Sequence, residues 1–362
     1  MKKSPEILKK LNTFRINRLL IIFVSLCTLL AGLLYLWAGK RTVESLSEQI
    51  LHRQQVVARA GSKSIETFLS MVGKSLMVLS DHLSLLPPEE IGGTPSILQK
   101  FASDWRNTPF VEIILIDKEG QVIFGATAKE GRLGSGISVS DREYFLWVKS
   151  ALRNQTYVGK PIVQRGGKFV GRYIAPVATS LFRNGNFEGA LVASVLLSEL
   201  NKEFIDPLKL SEKTRVYFSD SDGYIIYGTS GNLVGKNYLE YLRKKPYKGS
   251  ELAIQKFSEA LSKSEEGKLN LILPDERKGG LDRFLISYSP VRFADTNFVL
   301  AIASPVKEAL IFLGPFQDHQ TTLLVFGIVV IVGFSALMIL AVRIAQRESF
   351  LKGFVKGRDH KK

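Results

Sequence analysis

The sequence predicts an α+β protein: a long N-terminal helix followed by two tandem antiparallel-sheet modules, with a transmembrane helix on each side. Three observations lead to this fold class. Uncharged stretches occupy residues 19–39 and 321–342, near the two ends of the 362-residue chain. Apolar residues follow helical spacing over 40–88. The pattern apolar run, Asp-x-x-Gly, apolar run then occurs at 111–127 and again at 215–230, which indicates two β-hairpins in similar modules.

The two uncharged stretches are each long enough to cross a membrane. At ~1.5 Å per residue, about 21 helical residues span the ~30 Å hydrocarbon core of a bilayer, and a helix satisfies its own backbone there. A cleaved signal peptide is the alternative for 19–39. That stretch is too long for one, and the basic region before it covers 18 residues. We therefore expect two transmembrane helices.

Basic residues concentrate in the two tails. Residues 1–18 hold six Lys or Arg against one acid, and residues 343–362 hold seven against two. The positive-inside rule then predicts that both tails are cytoplasmic and that the middle lies outside the membrane. A nucleic-acid partner is not expected, because no basic stripe with interleaved aromatic residues occurs. The only cysteine, Cys27, lies in the first apolar stretch, so no disulfide is expected in the outer region.

The predicted helix over 40–88 continues directly from the first transmembrane helix. Its apolar residues recur at steps of mostly three or four, and Pro87-Pro88 ends it. Such a helix could be a spine for the two modules or a seam between two copies of the chain, and we expect both in part. Gly61 and Gly73 argue against a regular coiled coil, because glycine weakens a helix.

The first module, predicted over 89–200, combines two short helices with a sheet. Its helices are expected at 96–104 and 140–152, and its hairpin turns at 117–120. Three further strands are predicted at 156–163, 168–179 and 189–197.

The second module, predicted over 201–312, repeats this pattern more weakly, and the boundary between the modules is expected near 201–212. Its hairpin turns at 220–223, and a charged helical stretch follows. The later strands are predicted at 269–274, 283–293 and 298–306. The turn is similar to part of a calcium loop, but the terminal Glu of such a loop is missing. We therefore expect a turn and no metal.

The short stretch with the most functional content is residues 140–145, Ser-Asp-Arg-Glu-Tyr-Phe. Together with the two anchors, the entry helix and the two sheet modules, it resembles the double Cache (PDC-type) extracytoplasmic sensor family over about residues 40–310. The resemblance implies PAS-like modules and a small ligand bound in the membrane-distal one. It also implies that the pocket is built from an Asp-Arg-x-Tyr-Phe segment, a Gly-x-Pro strand (159–161) and the next two strands.

The resemblance and the side-chain chemistry together give a set of candidate site residues. The ligand-binding candidates are Arg142, Tyr144, Phe145, Tyr157, Gln164, Tyr173 and Ser194. The planar fork of Arg142 fits a carboxylate, Tyr144 adds a hydroxyl, and Phe145 adds an apolar wall. The alternative is that Arg142 pairs with Asp141 or Glu143 on a solvated helix while Tyr144 belongs to the core.

The same positions predict the ligand class. Amino-acid-binding members of the family hold the ligand's ammonium with acidic and tyrosine side chains, whereas Gln164, Ser194 and Ile162 stand at these positions here. An ammonium would then lack a counter-charge, which is costly in a desolvated pocket. We therefore expect a small organic anion, such as a short mono- or dicarboxylate, rather than an amino acid. No cofactor is expected.

The expected function is that of a sensor in the bacterial inner membrane. Only 20 residues follow residue 342, which is too few for an output module. The chain would therefore either signal through a separate cytoplasmic or membrane protein, such as a histidine kinase or a chemoreceptor, or be a shortened relative of a larger receptor with no output. The family resemblance implies a homodimer. The alternative is an accessory membrane protein whose outer domain binds a protein partner and no small ligand. An enzyme is not expected, because no nucleophile elbow, Walker loop or metalloprotease signature occurs.

Overall fold

The computed structural model of the chain describes two units. The described residues are 5–86, 93–129, 132–133, 136–209, 211–229, 233–263, 265–275, 280–293, 296–309 and 314–359. One unit consists of Met1–Glu48 together with Leu310–Lys362, and the other is Gln49–Ala309.

The first unit contains two apolar helical stretches. One belongs to α1 (Pro5–Leu85) and the other to α8 (Gly314–Asp359), and both are long and apolar enough to cross a membrane. Large apolar side chains such as Leu26, Leu33 and Val329 are more than half exposed, as suits contact with lipid. The two apolar helices predicted on either side of the outer region are therefore confirmed.

The second unit contains two sheet modules. The first module is built from α2 (Thr94–Asp104), β1 (Phe110–Asp117), β2 (Val122–Thr127), β3 (Arg132–Leu133), α3 (Glu143–Ser150), β4 (Thr156–Val158), β5 (Ile162–Val163), β6 (Tyr173–Arg183), β7 (Asn186–Leu196) and α4 (Leu197–Leu200). A π-helical turn and a 3₁₀ turn follow, at Asn201–Ile205 and Asp206–Leu208. The second module is built from β8 (Arg215–Asp220), β9 (Ile225–Gly228), α5 (Tyr238–Lys244), α6 (Ser250–Lys263), β10 (Gly267–Pro274), β11 (Leu281–Phe293), β12 (Thr296–Pro305) and α7 (Val306–Ala309).

Both sheets are antiparallel and share one strand order. The first runs β3-β2-β1-β7-β6-β4, with β5 also pairing with β6, and the second runs β10-β11-β12-β8-β9. If β3 and β5 are left out and each sheet is read from the second strand of its first hairpin (β2 or β9), both sheets have the strand order second, first, fifth, fourth, third. The loops of the first hairpins also match, because Oδ1 of Asp117 and of Asp220 accepts hydrogen bonds from the backbone N–H groups two and four residues later. The predicted tandem α+β fold is confirmed.

The second half of α1 is the spine of both modules. Its buried residues Ile65, Val72 and Leu76 belong to one core cluster with Ile113 of the first sheet and Leu300 of the second. Burial of each such side chain stabilises the fold by about 1.5–3 kcal/mol. The spine role predicted for this helix is therefore found in the structure.

The two glycines of the spine lie where α1 approaches its neighbours closely. A Cβ on Gly61 would lie 2.4 Å from Leu208 Cδ1 and 3.0 Å from Leu300 Cδ2. A Cβ on Gly73 would lie 3.2 Å from Thr156 Oγ1. We infer that these positions are glycine because of packing, a reason that helical propensity alone does not reveal.

Two strand predictions in the first module are wrong in extent. The stretch 156–163 forms two short strands, β4 and β5, because Pro161 between them has no N–H to donate to a ladder. The stretch 168–179 becomes a strand only at Tyr173, after Gly171 has adopted a φ of +79°. The predicted helix end at Pro87-Pro88 lies outside the described residues, and α1 ends at Leu85.

Candidate functional site

A cavity opens in the first module at the start of α3. Its empty volume is about 520 Å³, part of which is open to solvent. Apolar side chains of β1, β2, β5, β6 and β7 form much of its wall. The polar side chains that line it belong to Glu112, Arg142, Tyr144, Gln164, Arg165 and Ser194. A mostly apolar pocket with a few polar groups is the usual form of a small-molecule site.

The structure brings four of the seven candidate residues to this cavity. These four are Arg142, Tyr144, Gln164 and Ser194. The other three are not part of the lining. Phe145 is buried with its ring 6.4 Å from that of Phe187, Tyr157 is buried with its ring 5.4 Å from that of Trp147, and Tyr173 is about half exposed at the start of β6.

The first hairpin loop positions the segment that carries Arg142. Gly120 in this loop has a φ of +86°, and a Cβ there would lie 2.7 Å from the Cα atom of Ser140. The N–H of Val139 donates to the carbonyl of Gly120 at 2.8 Å. Arg142 follows with an extended backbone as the residue that precedes α3. The tight loop therefore fixes the place from which the guanidinium extends.

The guanidinium of Arg142 is not used in an ion pair with any described residue. Its Nη2 donates to the carbonyl oxygen of Val163 at 2.9 Å. Asp141 pairs instead with Arg165 through two bonds of 2.5 and 2.6 Å, and this partner lowers the pKa of Asp141. The alternative in which Arg142 pairs with Asp141 is therefore wrong. Arg142 keeps N–H donors for a ligand.

Tyr144 supplies a hydroxyl on the same wall. The residue is only 5% exposed, and burial raises the pKa of its phenol to about 12. The group therefore stays protonated at neutral pH and remains a hydrogen-bond donor as well as an acceptor. Tyr144 is thus both a core residue and a lining residue.

Glu112 is the site residue that sequence reasoning missed. The residue is 3% exposed, and its Oε1 accepts hydrogen bonds from Gln164 Nε2 at 2.5 Å and from Ser194 Oγ at 3.0 Å. Its Oε2 is buried without a hydrogen-bond partner among the described residues, and so is Oε1 of Gln164. Burial raises the pKa of the Glu112 carboxyl. The expectation that an ammonium in this pocket would lack a counter-charge is therefore wrong, because Glu112 of β1 lines the cavity, where Gln164 and Ser194 donate hydrogen bonds to it.

A β-bulge in β1 lets Glu112 face the cavity. The pairing of β1 with β7 shifts register between Phe110 and Glu112. Phe110 and Ile113 both pack in the core around α1, while Glu112 and Ile114 line the cavity. Strict alternation would place Phe110 and Glu112 on the same face, and the bulge separates them. The available sequence signal was the charge of Glu112 in the interior of a strand that is otherwise apolar up to its last residue, Asp117.

The second module buries a charged residue at the equivalent position and neutralises it internally. Glu112 and Arg215 each lie five residues before the aspartate of their hairpin loop. Arg215 is 4% exposed, donates from Nη2 to Asp275 at 2.5 Å and lies 4.7 Å over the ring of Phe284. Glu112, in contrast, has only neutral hydrogen-bond partners. The first cavity thus contains an acid with no cationic partner among the described residues.

This architecture identifies the family. The Cache domain family model dCache_1 matches residues 40–311. The chain belongs to the Cache domain family. It is therefore a Cache sensor domain flanked by two apolar helices, and ligand binding and signal transduction are the activities of such domains.

Solved sensory and ligand-binding domains of chemoreceptors have the same fold at low sequence identity. The periplasmic sensory domain of the Campylobacter jejuni chemoreceptor Tlp1 matches with a TM-score of 0.53 and 19% identity, over 75% of this chain and 98% of that one. The ligand-binding domain of the Pseudomonas fluorescens chemoreceptor CtaA with L-serine gives 0.52 and 14%, over 71% and 98%. That of Campylobacter jejuni Tlp3 with 4-methylisoleucine gives 0.52 and 13%, over 73% and 94%. No curated protein matches the sequence.

The raised pKa of Glu112 leads to a prediction about stability. In wild type, the contribution of Glu112 to the free energy of unfolding should fall as pH rises. We expect this decrease to be absent in Glu112→Gln. The folded protein holds the proton more tightly than the unfolded chain, whose carboxyl has an ordinary pKa of 4.5. This stability contribution is therefore complete below the unfolded pKa and is lost as pH rises through the folded one. Gln has no proton to lose.

The measurement is urea unfolding of wild type and Glu112→Gln across about pH 4 to 8, which covers the range above the ordinary carboxyl pKa. The free energy of unfolding of the variant, relative to wild type, should rise with pH. Glu188→Gln, at an exposed position of β7, is the control and should run parallel to wild type. Parallel profiles for Glu112→Gln and wild type would contradict the assignment.

Proposed function

We propose that the chain is a membrane-anchored extracytoplasmic sensor whose membrane-distal module, the first one, binds a small carboxylate that also carries an amine. The observation that supports this best is the combination of unpaired groups in one cavity. Arg142 offers N–H donors, while Glu112 Oε2 and Gln164 Oε1 are buried acceptors for which the described part of the chain supplies no hydrogen-bond donor. A ligand with an anionic and a cationic end would satisfy both sets.

The carboxylate end of the ligand rests on Arg142. A guanidinium binds a carboxylate through two parallel N–H···O bonds, which adds orientation as well as affinity. The Asp141–Arg165 pair beside it leaves Arg142 as the lining cation without an acidic partner among the described residues. Tyr144 adds a neutral hydroxyl that can donate to the same carboxylate.

The amine end of the ligand rests on Glu112 and Gln164. Unsatisfied buried acceptors cost free energy, and an ammonium with three N–H donors would remove this cost at two of them. The ammonium would also give the buried carboxylate the counter-charge that Asp275 gives Arg215 in the second module. L-serine in CtaA and 4-methylisoleucine in Tlp3 are ligands of this chemical class.

Binding would be signalled across the membrane to an effector such as a histidine kinase or a chemoreceptor. α1 supports this proposal because it belongs to both units, running from the apolar stretch into the core of both sheets. The basic tails support cytoplasmic termini and an outer domain facing away from the cytoplasm of a bacterial inner membrane. The homodimer stays a prediction. It would rest on the exposed α1 residues Met71, Val78 and Leu85, which are spaced seven residues apart.

Thermal unfolding of the full chain in lipid nanodiscs, with a panel of amino acids and short mono- and dicarboxylates, tests the proposal. A ligand present at 100 times its Kd stabilises the folded state by about 2.7 kcal/mol, so at least one amino acid should raise the Tm by several degrees. Its analogues without the amine or without the carboxylate should raise it less at equal concentration. A panel without any shift would refute the proposal.

A further inference from the structure

We infer that the second module contains a separate binding site for a neutral, ring-bearing small molecule with one hydrogen-bonding group. A cavity with an empty volume of about 650 Å³ lies there between the second sheet and helices α5 and α6. None of the described residues that line it carries a charged side chain. This inference is independent of the ligand proposed for the first module.

The sequence of β12 builds this hollow. On the face toward α1, the strand places Phe298, Leu300 and Ile302, which are all buried in the core. On the opposite face, Ala301 and Ala303 line the cavity. Large side chains fill one side of the strand, whereas on the other side the methyl groups of Ala301 and Ala303, next to Val299, leave space. The cavity therefore exists because small residues alternate with large ones along β12.

The wall of the cavity carries hydroxyl groups that no described residue satisfies. The hydroxyl of Ser219 and that of Tyr288 form no hydrogen bond with another described residue. Tyr288 and Tyr217 pair across the sheet with Ala301 from its two sides, so Tyr288 lies on the strand beside the smallest part of the wall. Burial raises the pKa of Tyr288, which keeps it a neutral donor.

Aromatic rings form the remaining surface of the hollow. The rings of Tyr217 and Tyr238 are stacked with centroids 6.3 Å apart, and Phe257 meets Tyr238 edge-on at 5.3 Å. Such surfaces favour a planar ring as ligand. A carboxylate would find no cation in the lining, and the nearby buried Arg215 is already paired with Asp275. The chemistry thus selects a neutral molecule, in contrast to the first cavity.

An ion pair between the two modules lies near both cavities in the sequence. Lys160 Nζ lies 3.1 Å from Oδ2 of Asp222. Asp222 precedes Gly223, which lines the second cavity, and Lys160 lies two residues before Ile162, which lines the first. A ligand in the second cavity would therefore act close to the segment that forms the first.

The test uses 4-fluorophenol as a probe, observed by ¹⁹F NMR with the full chain in lipid nanodiscs, and empty nanodiscs measure partition into lipid. Wild type should show saturable binding that 4-fluorobenzoate does not compete away. Ala301→Leu fills the hollow and should weaken binding at least roughly tenfold, and Ser219→Ala, which removes one hydrogen bond, by about three- to tenfold.

Arg142→Ala is the matched control, because it alters the first cavity and should leave binding of the probe unchanged. Ser219→Ala decides the outcome if Ala301→Leu fails to fold. Probe affinity equal to wild type in Ser219→Ala and in folded Ala301→Leu would overturn the inference, and so would a wild-type signal no greater than that of empty nanodiscs. Binding that disappears in Arg142→Ala would assign the probe to the first cavity and also overturn it.

Discussion

Arg142→Ala is expected to weaken binding of the ligand by at least about 100-fold, because truncation of one partner of a buried charge pair is among the most costly changes at an interface. The variant would leave the ligand's carboxylate in a cavity with Arg165 as its nearest cation, and Arg165 is already paired with Asp141. Calorimetric titration of the full chain with the tightest-binding panel member gives the affinity.

Two variants make this result specific. Arg142→Lys keeps the charge but loses the planar fork, so its affinity should lie between those of wild type and Arg142→Ala. Arg153→Ala is the control, because Arg153 is exposed and pairs with Asp81 on the surface. This variant should bind like wild type and change the free energy of unfolding by less than about 1 kcal/mol. Equal affinities for wild type and Arg142→Ala would show that Arg142 does not bind the ligand.

Arg215→Met should cost about 3–5 kcal/mol of unfolding free energy, because it leaves Asp275 buried without its cation. The side chains of this pair are only 4% and 9% exposed. The lost contact of the guanidinium with the ring of Phe284 adds to the cost. Urea unfolding followed by tryptophan fluorescence measures the change.

The double variant Arg215→Met/Asp275→Leu separates charge from packing. If the cost of the single change comes from an uncompensated charge, removal of both charges should restore much of the lost stability. A double variant less stable than Arg215→Met would show that the cost of the single change does not come from the uncompensated charge of Asp275. A single variant within about 1 kcal/mol of wild type would contradict its burial altogether.

The architecture could be predicted from the sequence because it follows from the spacing of apolar residues and from a repeated turn pattern. The helical spacing of α1 and the paired Asp-x-x-Gly hairpins each have one simple structural reading, and both are found in the structure. The errors lie where backbone details decide. Pro161 divides a predicted strand, and a turn around Gly171 shortens another.

The site was predictable only in part. Arg142 and Tyr144 followed from a short motif, and both line the cavity. Glu112 lies within a mostly apolar strand, and a β-bulge directs its side chain to the cavity. No residue pattern in the sequence predicts this bulge. Gln164, the partner of Glu112, lies 52 residues away in the chain, so the pairing could not be inferred from spacing. Tertiary structure thus changed the expected ligand from an anion without an amine to one with it.

The charge requirement of the first cavity is the central claim, and one titration series tests it most directly. The best amino acid of the panel, its analogue without the amine and its analogue without the carboxylate are each titrated into wild type and Glu112→Gln. We predict that the amino acid binds wild type tightest and loses about tenfold or more in Glu112→Gln, as expected for a lost charge-assisted hydrogen bond, while the amine-free acid binds both proteins equally. An amine-free acid that binds wild type as tightly as the amino acid would contradict the account.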